Sequence, residues 1–190
     1  MSQLVGVLRE CATQIALLSR QLLGFRRPGE LEYQRTTVAD VVGRAHALTS
    51  QLFKSVELKE ALGYNGPFDC AAPLLTQVLS NLLENGAQAA GAGGWVKLVS
   101  RIEGERVVIE ISDSGAGVPI ELRERIFEPF FTTKPPGSGT GLGLTMARQI
   151  VERHAGILDV REVPGGTLFH IEVPLRAHGG QSARQRGGGR

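Results

Sequence analysis

Four carboxamides recur along one short stretch of this 190-residue chain at a spacing that could hold a cation. Gln77, Asn81, Asn85 and Gln88 stand at i, i+4, i+8 and i+11. On a helix, neighbours at that spacing are about 6 Å apart or less along the axis. A merely solvated face would carry Glu, Lys and Arg. Carboxamides instead offer uncharged oxygens, which suit a hard cation such as Mg²⁺ and the phosphates it bridges. Three further elements follow in order: Asp113-Ser114-Gly115-Ala116-Gly117, then Phe127-Glu128-Pro129-Phe130-Phe131-Thr132-Thr133-Lys134, then Gly139-Thr140-Gly141-Leu142-Gly143-Leu144.

Each element has its own chemistry. Asp113 follows a strand pattern, and one buried acceptor at a sheet end can take the exocyclic amino hydrogen of adenine. Gly115 and Gly117 let the backbone approach a base closely. Gly139, Gly141 and Gly143 precede or open a helix whose N–H groups can face phosphate oxygens. A dinucleotide-binding turn also uses Gly-x-Gly, but needs a strand directly before it. Here Pro135-Pro136-Gly137-Ser138 precedes. Phe127, Phe130 and Phe131 could pin a loop that covers a nucleotide, with Lys134 reaching the outer phosphates as a point charge. The combination points to an ATP site.

The elements that must position these residues follow from periodicity. Leu74, Leu75, Val78, Leu79, Leu82, Leu83, Ala87 and Ala90 give residues 73–90 an apolar helical stripe apart from the carboxamide line. Residues 38–60 read as a helix with Val38, Val41, Val42, Ala45, Leu48, Leu52 and Val56 on one side. His46 within it reads as a surface or packing histidine. Trp95–Ile102 and Arg106–Ser112 alternate as strands, as do Ile157–Val163 and Thr167–Val173 around Pro164-Gly165-Gly166. Pro119–Phe127 reads as a short helix, and Thr140–His154 as a longer one stopped by Gly156. The expected fold is α+β: a mixed sheet covered by helices on one face.

At the N-terminus, Leu4, Leu8, Cys11, Ile15, Leu18, Leu22 and Phe25 form a heptad seam. Another copy, a missing helix or the body of the domain must cover it. Residues 4–25 are thus a candidate homodimer surface. Without Arg184, Arg186 and Arg190, near the C-terminus, the formal charge of +2 becomes −1, so the folded body has no nucleic-acid footprint. The segment 177–190 is too polar to pack and reads as a disordered tail. No apolar run reaches membrane-spanning length. Cys11 and Cys70 are too few for a disulfide framework, which favours a reduced, cytoplasmic setting.

Together these residues resemble the catalytic and ATP-binding domain of histidine kinases, in the GHKL ATPase superfamily. Asn81–Asn85 is similar to the N box, Asp113–Gly117 to the G1 box, Phe127–Phe131 to the F box and Gly139–Leu144 to the G2 box. Gly165-Gly166-Thr167 resembles the closing segment, whose Thr lies near the adenine. The Phe-Phe-Thr-Thr-Lys string looks most like nitrogen-regulatory and hybrid sensor kinases.

The resemblance implies a Bergerat-type sandwich over about residues 35–175 that transfers the γ-phosphoryl group of ATP. Asn85 would coordinate Mg²⁺, with Asn81 and Lys134 beside the phosphates as catalytic residues. Gln88, Asp113, Gly115, Gly117, Gly139, Thr140, Gly141, Leu142, Gly143, Leu144 and Thr167 would complete the nucleotide contacts. Residues 1–30 resemble the second helix of the dimerisation and phosphotransfer hairpin. The first helix, with its acceptor histidine, is absent. The implied partners are that acceptor hairpin and the receiver domain of a response regulator. A non-catalytic nucleotide module, or a relative such as an anti-sigma serine kinase, would also use these motifs. ATPase clamps differ: they usually carry Glu where Asn81 stands.

Overall fold

The computed structural model describes residues 31–135 and 139–177. The heptad seam of residues 4–25, the segment 136–138 and the tail beyond residue 177 lie outside the described residues.

The long helix forms where its stripe predicts. Helix α2 (Ala72–Ala90) carries Pro73 near its start and buries Leu75, Val78, Leu79, Leu82, Leu83 and Ala87. Gly91 ends it with a positive φ of 66°, and its N–H donates to the Ala87 carbonyl. Strands β4 (Trp95–Glu103) and β5 (Arg106–Asp113) follow as an antiparallel pair. Helix α3 (Gly143–Arg153) and the pair β6 (Ile157–Val163) and β7 (Gly166–Pro174) complete the C-terminal half. The inward residues Leu98, Ile109, Ile111, Leu158, Phe169 and Ile171 form one core with α2 and α3.

Residues 38–60 depart from the expected single helix. Helix α1 (Val38–Thr49) is capped by Thr37, whose hydroxyl accepts the Asp40 N–H, and stops twelve residues later. There the Thr49 and Ser50 hydroxyls turn back onto the carbonyls of Ala45 and Ala47. A 3₁₀ turn follows at Leu52–Lys54, and Glu57–Leu62 is strand β2. Leu48, placed on the apolar side by periodicity, is 72% exposed. The physical reason is a distant partner: β2 pairs in parallel with β4, from Glu57 opposite Trp95 to Leu62 opposite Ser100. Tertiary pairing outweighs local helical pattern here. His46 is a surface histidine, 3.1 Å from Glu60 and edge-on to Phe53.

The five-stranded sheet runs β2-β4-β5-β7-β6. A separate two-stranded ribbon joins β1 (Gln34–Thr37) to β3 (Pro67–Cys70). The expected short helix at 119–127 is two 3₁₀ turns, Ile120–Leu122 and Arg125–Phe127. Among the described residues, no helix is long and apolar enough to cross a membrane.

The face of the sheet away from the helices is a charged lattice. Arg101 on β4 contacts Glu110 on β5 at 2.7 Å. His170 on β7 lies 2.8 Å from both Glu110 and Glu172, and Arg106 holds Glu172 at 3.1 Å. Val108, between Arg101 and Glu172 in the register, is fully buried on that face. Hydrogen bonding from Arg101, opposed by desolvation and aided by His170, holds the Glu110 carboxyl below its ordinary range. The folded state therefore binds fewer protons than the unfolded chain. The stabilisation is present above the unfolded value of about 4.3 and is lost as pH falls through the lower folded value. Glu110→Gln should cost about 1 kcal/mol at pH 7, by urea denaturation. That deficit should shrink steadily as the pH drops below 4. An unchanged deficit would mean that the carboxylate's charge is not what stabilises the lattice.

Candidate functional site

Asp113 is the last residue of β5 and is 2% exposed. Its register partner is Thr167 on β7, also buried. A buried carboxylate needs partners. The Gly115 N–H donates to Oδ1 at 2.8 Å, and the Thr167 backbone also favours the ionised form. Desolvation outweighs both and raises the carboxyl above the usual aspartate range. Ser114 closes the turn, its hydroxyl accepting the Trp95 N–H at 2.9 Å.

Glycines clear the space around this acid. A Cβ on Gly115 would stand 2.8 Å from Asp113 Oδ1 and from Ala89 on α2. Gly117 has φ 81°, and a Cβ there would meet the Gly166 carbonyl at 3.1 Å. At Gly166 a Cβ would run into the Asp113 carbonyl. On α2, Gly86 faces the same residue, with Val96 3.3 Å and Asp113 Cβ 3.6 Å from an added Cβ. The glycine pattern drew Gly115 and Gly117 from the sequence. Gly166, already marked by its resemblance to the closing segment, and Gly86 show what they make room for only through the distant strand they approach.

The polar line of α2 lies as its spacing requires: Gln77, Asn81 and Asn85 are half-buried and Gln88 is exposed. Lys134 reaches this line. Its Nζ donates to Asn85 Oδ1 at 3.3 Å and to Gln88 Oε1. Thr132 Oγ1 accepts the Lys134 N–H at 3.1 Å, and a Cβ on Gly139 would meet both residues.

Helix α3 begins at Gly143, three residues later than Thr140. Gly141 has φ 64°, outside the helical region, so the helix cannot include it. Its first intrahelical bond runs from Met146 N to Leu142 O at 2.9 Å. The N–H groups of Gly143, Leu144 and Thr145 consequently have no carbonyl within the helix, which gives the end a partial positive charge. A Cβ on Gly143 would fall 2.5 Å from Asn81 Oδ1, so this end abuts the polar line. Thr140 and Leu142 remain in the turn before it, where Thr140 Oγ1 accepts the Leu142 N–H at 3.4 Å. Leu144 packs against the core.

The three phenylalanines divide their work. Phe127 is buried beneath the Arg148 guanidinium, and Arg125 covers the Phe131 ring at 4.6 Å. Phe130 does not pin the loop by its ring, which is 74% exposed at φ 65°. Its N–H does so, donating to the Gly141 carbonyl at 2.9 Å. Asp113, the carboxamides, Lys134 and the α3 N-terminus thus form one connected set through Ala89, Asn81 and Asn85.

His154 is a residue whose work periodicity missed. It is 2% exposed; Nδ1 donates to the Ile150 carbonyl at 2.7 Å and Nε2 accepts the Ala71 N–H at 3.1 Å. Burial lowers its tendency to take a proton. It ties the end of α3 to the start of α2, a tie that separation by 83 positions hides.

A sequence profile of the histidine kinase-, DNA gyrase B- and HSP90-like ATPases (HATPase_c) matches residues 70–177. The signal transduction histidine-protein kinase AtoS of Escherichia coli K12 is 34% identical over 168 residues, covering 86% of this chain and 27% of AtoS. The chain therefore spans about a quarter of that relative. The catalytic domain of histidine kinase ThkA superposes with a TM-score of 0.72 at 28% identity, over 77% of this chain and 97% of that domain. Full-length ShkA in complex with AMPPNP gives 0.77 at 27% identity, over 92% of this chain and 38% of ShkA.

The contact between Gly143 and Asn81 yields a test. Gly143→Ala should push the Asn81 carboxamide aside and weaken ADP binding about tenfold, or about 1.4 kcal/mol. Gly43→Ala, a helical position with nothing within 4 Å of an added Cβ, should leave affinity unchanged. Calorimetric titration measures both. Equal affinities in the two variants would separate Asn81 from the nucleotide.

Proposed function

We propose that this chain, which belongs to the histidine kinase-, DNA gyrase B- and HSP90-like ATPase family, is the ATP-binding catalytic part of a two-component sensor histidine kinase. In this reading it positions Mg-ATP for transfer of the γ-phosphoryl group to a histidine on a separate hairpin, in the cytoplasm. A response regulator receiver domain then takes the phosphoryl group. The observation that carries the proposal is the connected set around α2: a buried carboxylate cleared by glycines, the start of α3 against Asn81, and a carboxamide line that already accepts from Lys134.

The residues present fit the nucleotide. Asp113 offers a buried carboxyl acceptor at a backbone cleared by Gly115, Gly117 and Gly166, suited to the adenine amino group. Thr167 lies beside it in the register. The Gly139–Leu144 turn and the start of α3 would receive the phosphates. The residues also fit a divalent cation, because the oxygens of Asn85 and Gln88 already accept from a positive group, Lys134. Bound Mg²⁺ would neutralise developing charge on the phosphates, and Asn85 would hold it. Such catalysis is mostly positioning and charge stabilisation, which suits a site whose acceptor histidine comes from a separate hairpin. His154 and His170 are each 2% exposed with both ring nitrogens engaged, so neither is available as an acceptor. AtoS by its name, and ShkA by its AMPPNP complex, support the kinase and nucleotide parts of the reading.

The experiment is transfer of label from γ-³²P-ATP to acceptor-histidine hairpins of sensor kinases added in trans. Label should appear on a hairpin and not on this chain. Asn85→Ala should lower the rate about 10²-fold or more with an unchanged circular dichroism spectrum. ATP turnover with no label on any hairpin would reduce the protein to an ATPase. Competition with GTP tests Asp113: ATP should bind at least tenfold tighter, and equal affinity would remove the adenine assignment.

A further inference from the structure

Lys134 is not a freely solvated surface lysine. Its backbone N–H is fixed by Thr132, and its aliphatic stem lies against Gly139, where an added Cβ would be 3.2 Å from Cδ. Its ammonium ends on two oxygens of α2, Asn85 Oδ1 and Gln88 Oε1. The Gln88 amide is oriented for this: its nitrogen donates to Glu84 Oε1 at 3.1 Å, which turns its oxygen toward Lys134. A positive charge is therefore held at the oxygen that the proposed function assigns to a divalent metal. Two cations on one carboxamide oxygen repel, and a neutral amide lacks the charge to hold both.

We infer that Lys134 is a built-in competitor of the divalent metal for Asn85, so that one side chain sets how strongly nucleotide binding depends on metal. This rests on the nucleotide-binding reading above. When metal is scarce, the ammonium supplies positive charge beside the phosphates, and ADP binding persists. When metal enters, it takes Asn85 Oδ1 and Lys134 must leave. Metal then gains less affinity for the nucleotide than it would in a protein lacking this lysine. By linkage, the two cations weaken each other's hold on Asn85 by the same factor.

The test is the ratio of ADP dissociation constants measured by calorimetry in excess EDTA and in excess MgCl₂. In Lys134→Ala that ratio should rise at least tenfold over wild type, through weaker metal-free binding, tighter metal-bound binding or both. Lys134→Gln should behave like Lys134→Ala, because the charge is what competes. Circular dichroism checks that both variants are folded. If both affinities fall by one factor, Lys134 is an ordinary phosphate contact and the inference fails. If neither changes, its contact with Asn85 has no energetic weight and the inference fails equally. A wild-type chain that binds no ADP under either condition would instead overturn the proposed function itself.

Discussion

One buried carboxylate sets the geometry of this fold. Asp113 ends a central strand, packed between helix α2 and the first residues of β7, almost without solvent. Burying it carries a cost that raises its proton affinity, and backbone N–H groups offset only part of that. The chain closes in around it where glycines leave room. Gly86 brings α2 down onto it, Gly115 turns the backbone back toward it, and Gly166 lets β7 start against its carbonyl. A side chain at Gly115 or Gly166 would force backbone apart, opening the acid to water and moving the end of β5.

That approach ties folding and chemistry to one helix. The apolar side of α2 lies on the sheet and so fixes the axis of the helix. Its carboxamide side is then aimed without further adjustment at the start of α3 and at Lys134. His154 adds a second tie, neutral and buried, between the start of α2 and the end of α3. The end of α3 and the start of α2, the two helices that carry the candidate site, are thereby held by hydrogen bonds between an imidazole and the backbone. Long, rotamer-rich surface side chains would hold them less firmly.

Features that depend on neighbours in the chain were legible in the sequence. The α2 stripe, its carboxamide line, the β4–β5 pair and the β6–β7 hairpin all follow from local periodicity and turn residues. Features that depend on distant pairing were not. Glu57–Leu62 has a polar pattern compatible with a helical extension, and only β4 makes it a strand. The ribbon of β1 and β3 is four residues on each side, too short for alternation to register. The start of α3 moved from Thr140 to Gly143 because Gly141 occupies a left-handed conformation, which glycine permits but does not announce. The candidate site follows the same division. Asp113, Asn81 and Asn85 stand out by type and spacing, whereas the contacts of Gly143 with Asn81 and of Lys134 with Asn85 cross tens of residues.

The choice of carboxamides over carboxylates now has a physical reason beyond metal preference. A carboxylate at residue 85 would bind Lys134 as an ion pair with charge-assisted hydrogen bonds, about twice as strong as neutral ones. It would also hold a divalent cation in the absence of nucleotide. An amide oxygen binds either cation weakly, and one cation can replace the other at small cost. On the proposed reading, selectivity for the metal–nucleotide complex would come from phosphate oxygens completing the coordination, since a neutral ligand alone is a poor site for a hard cation. The polar line on α2 would, on that reading, act as an exchange surface for positive charge and not as a fixed metal cage. Its neutrality lets the same four side chains lie beside a buried hydrophobic stripe without the desolvation penalty that four acids would bring.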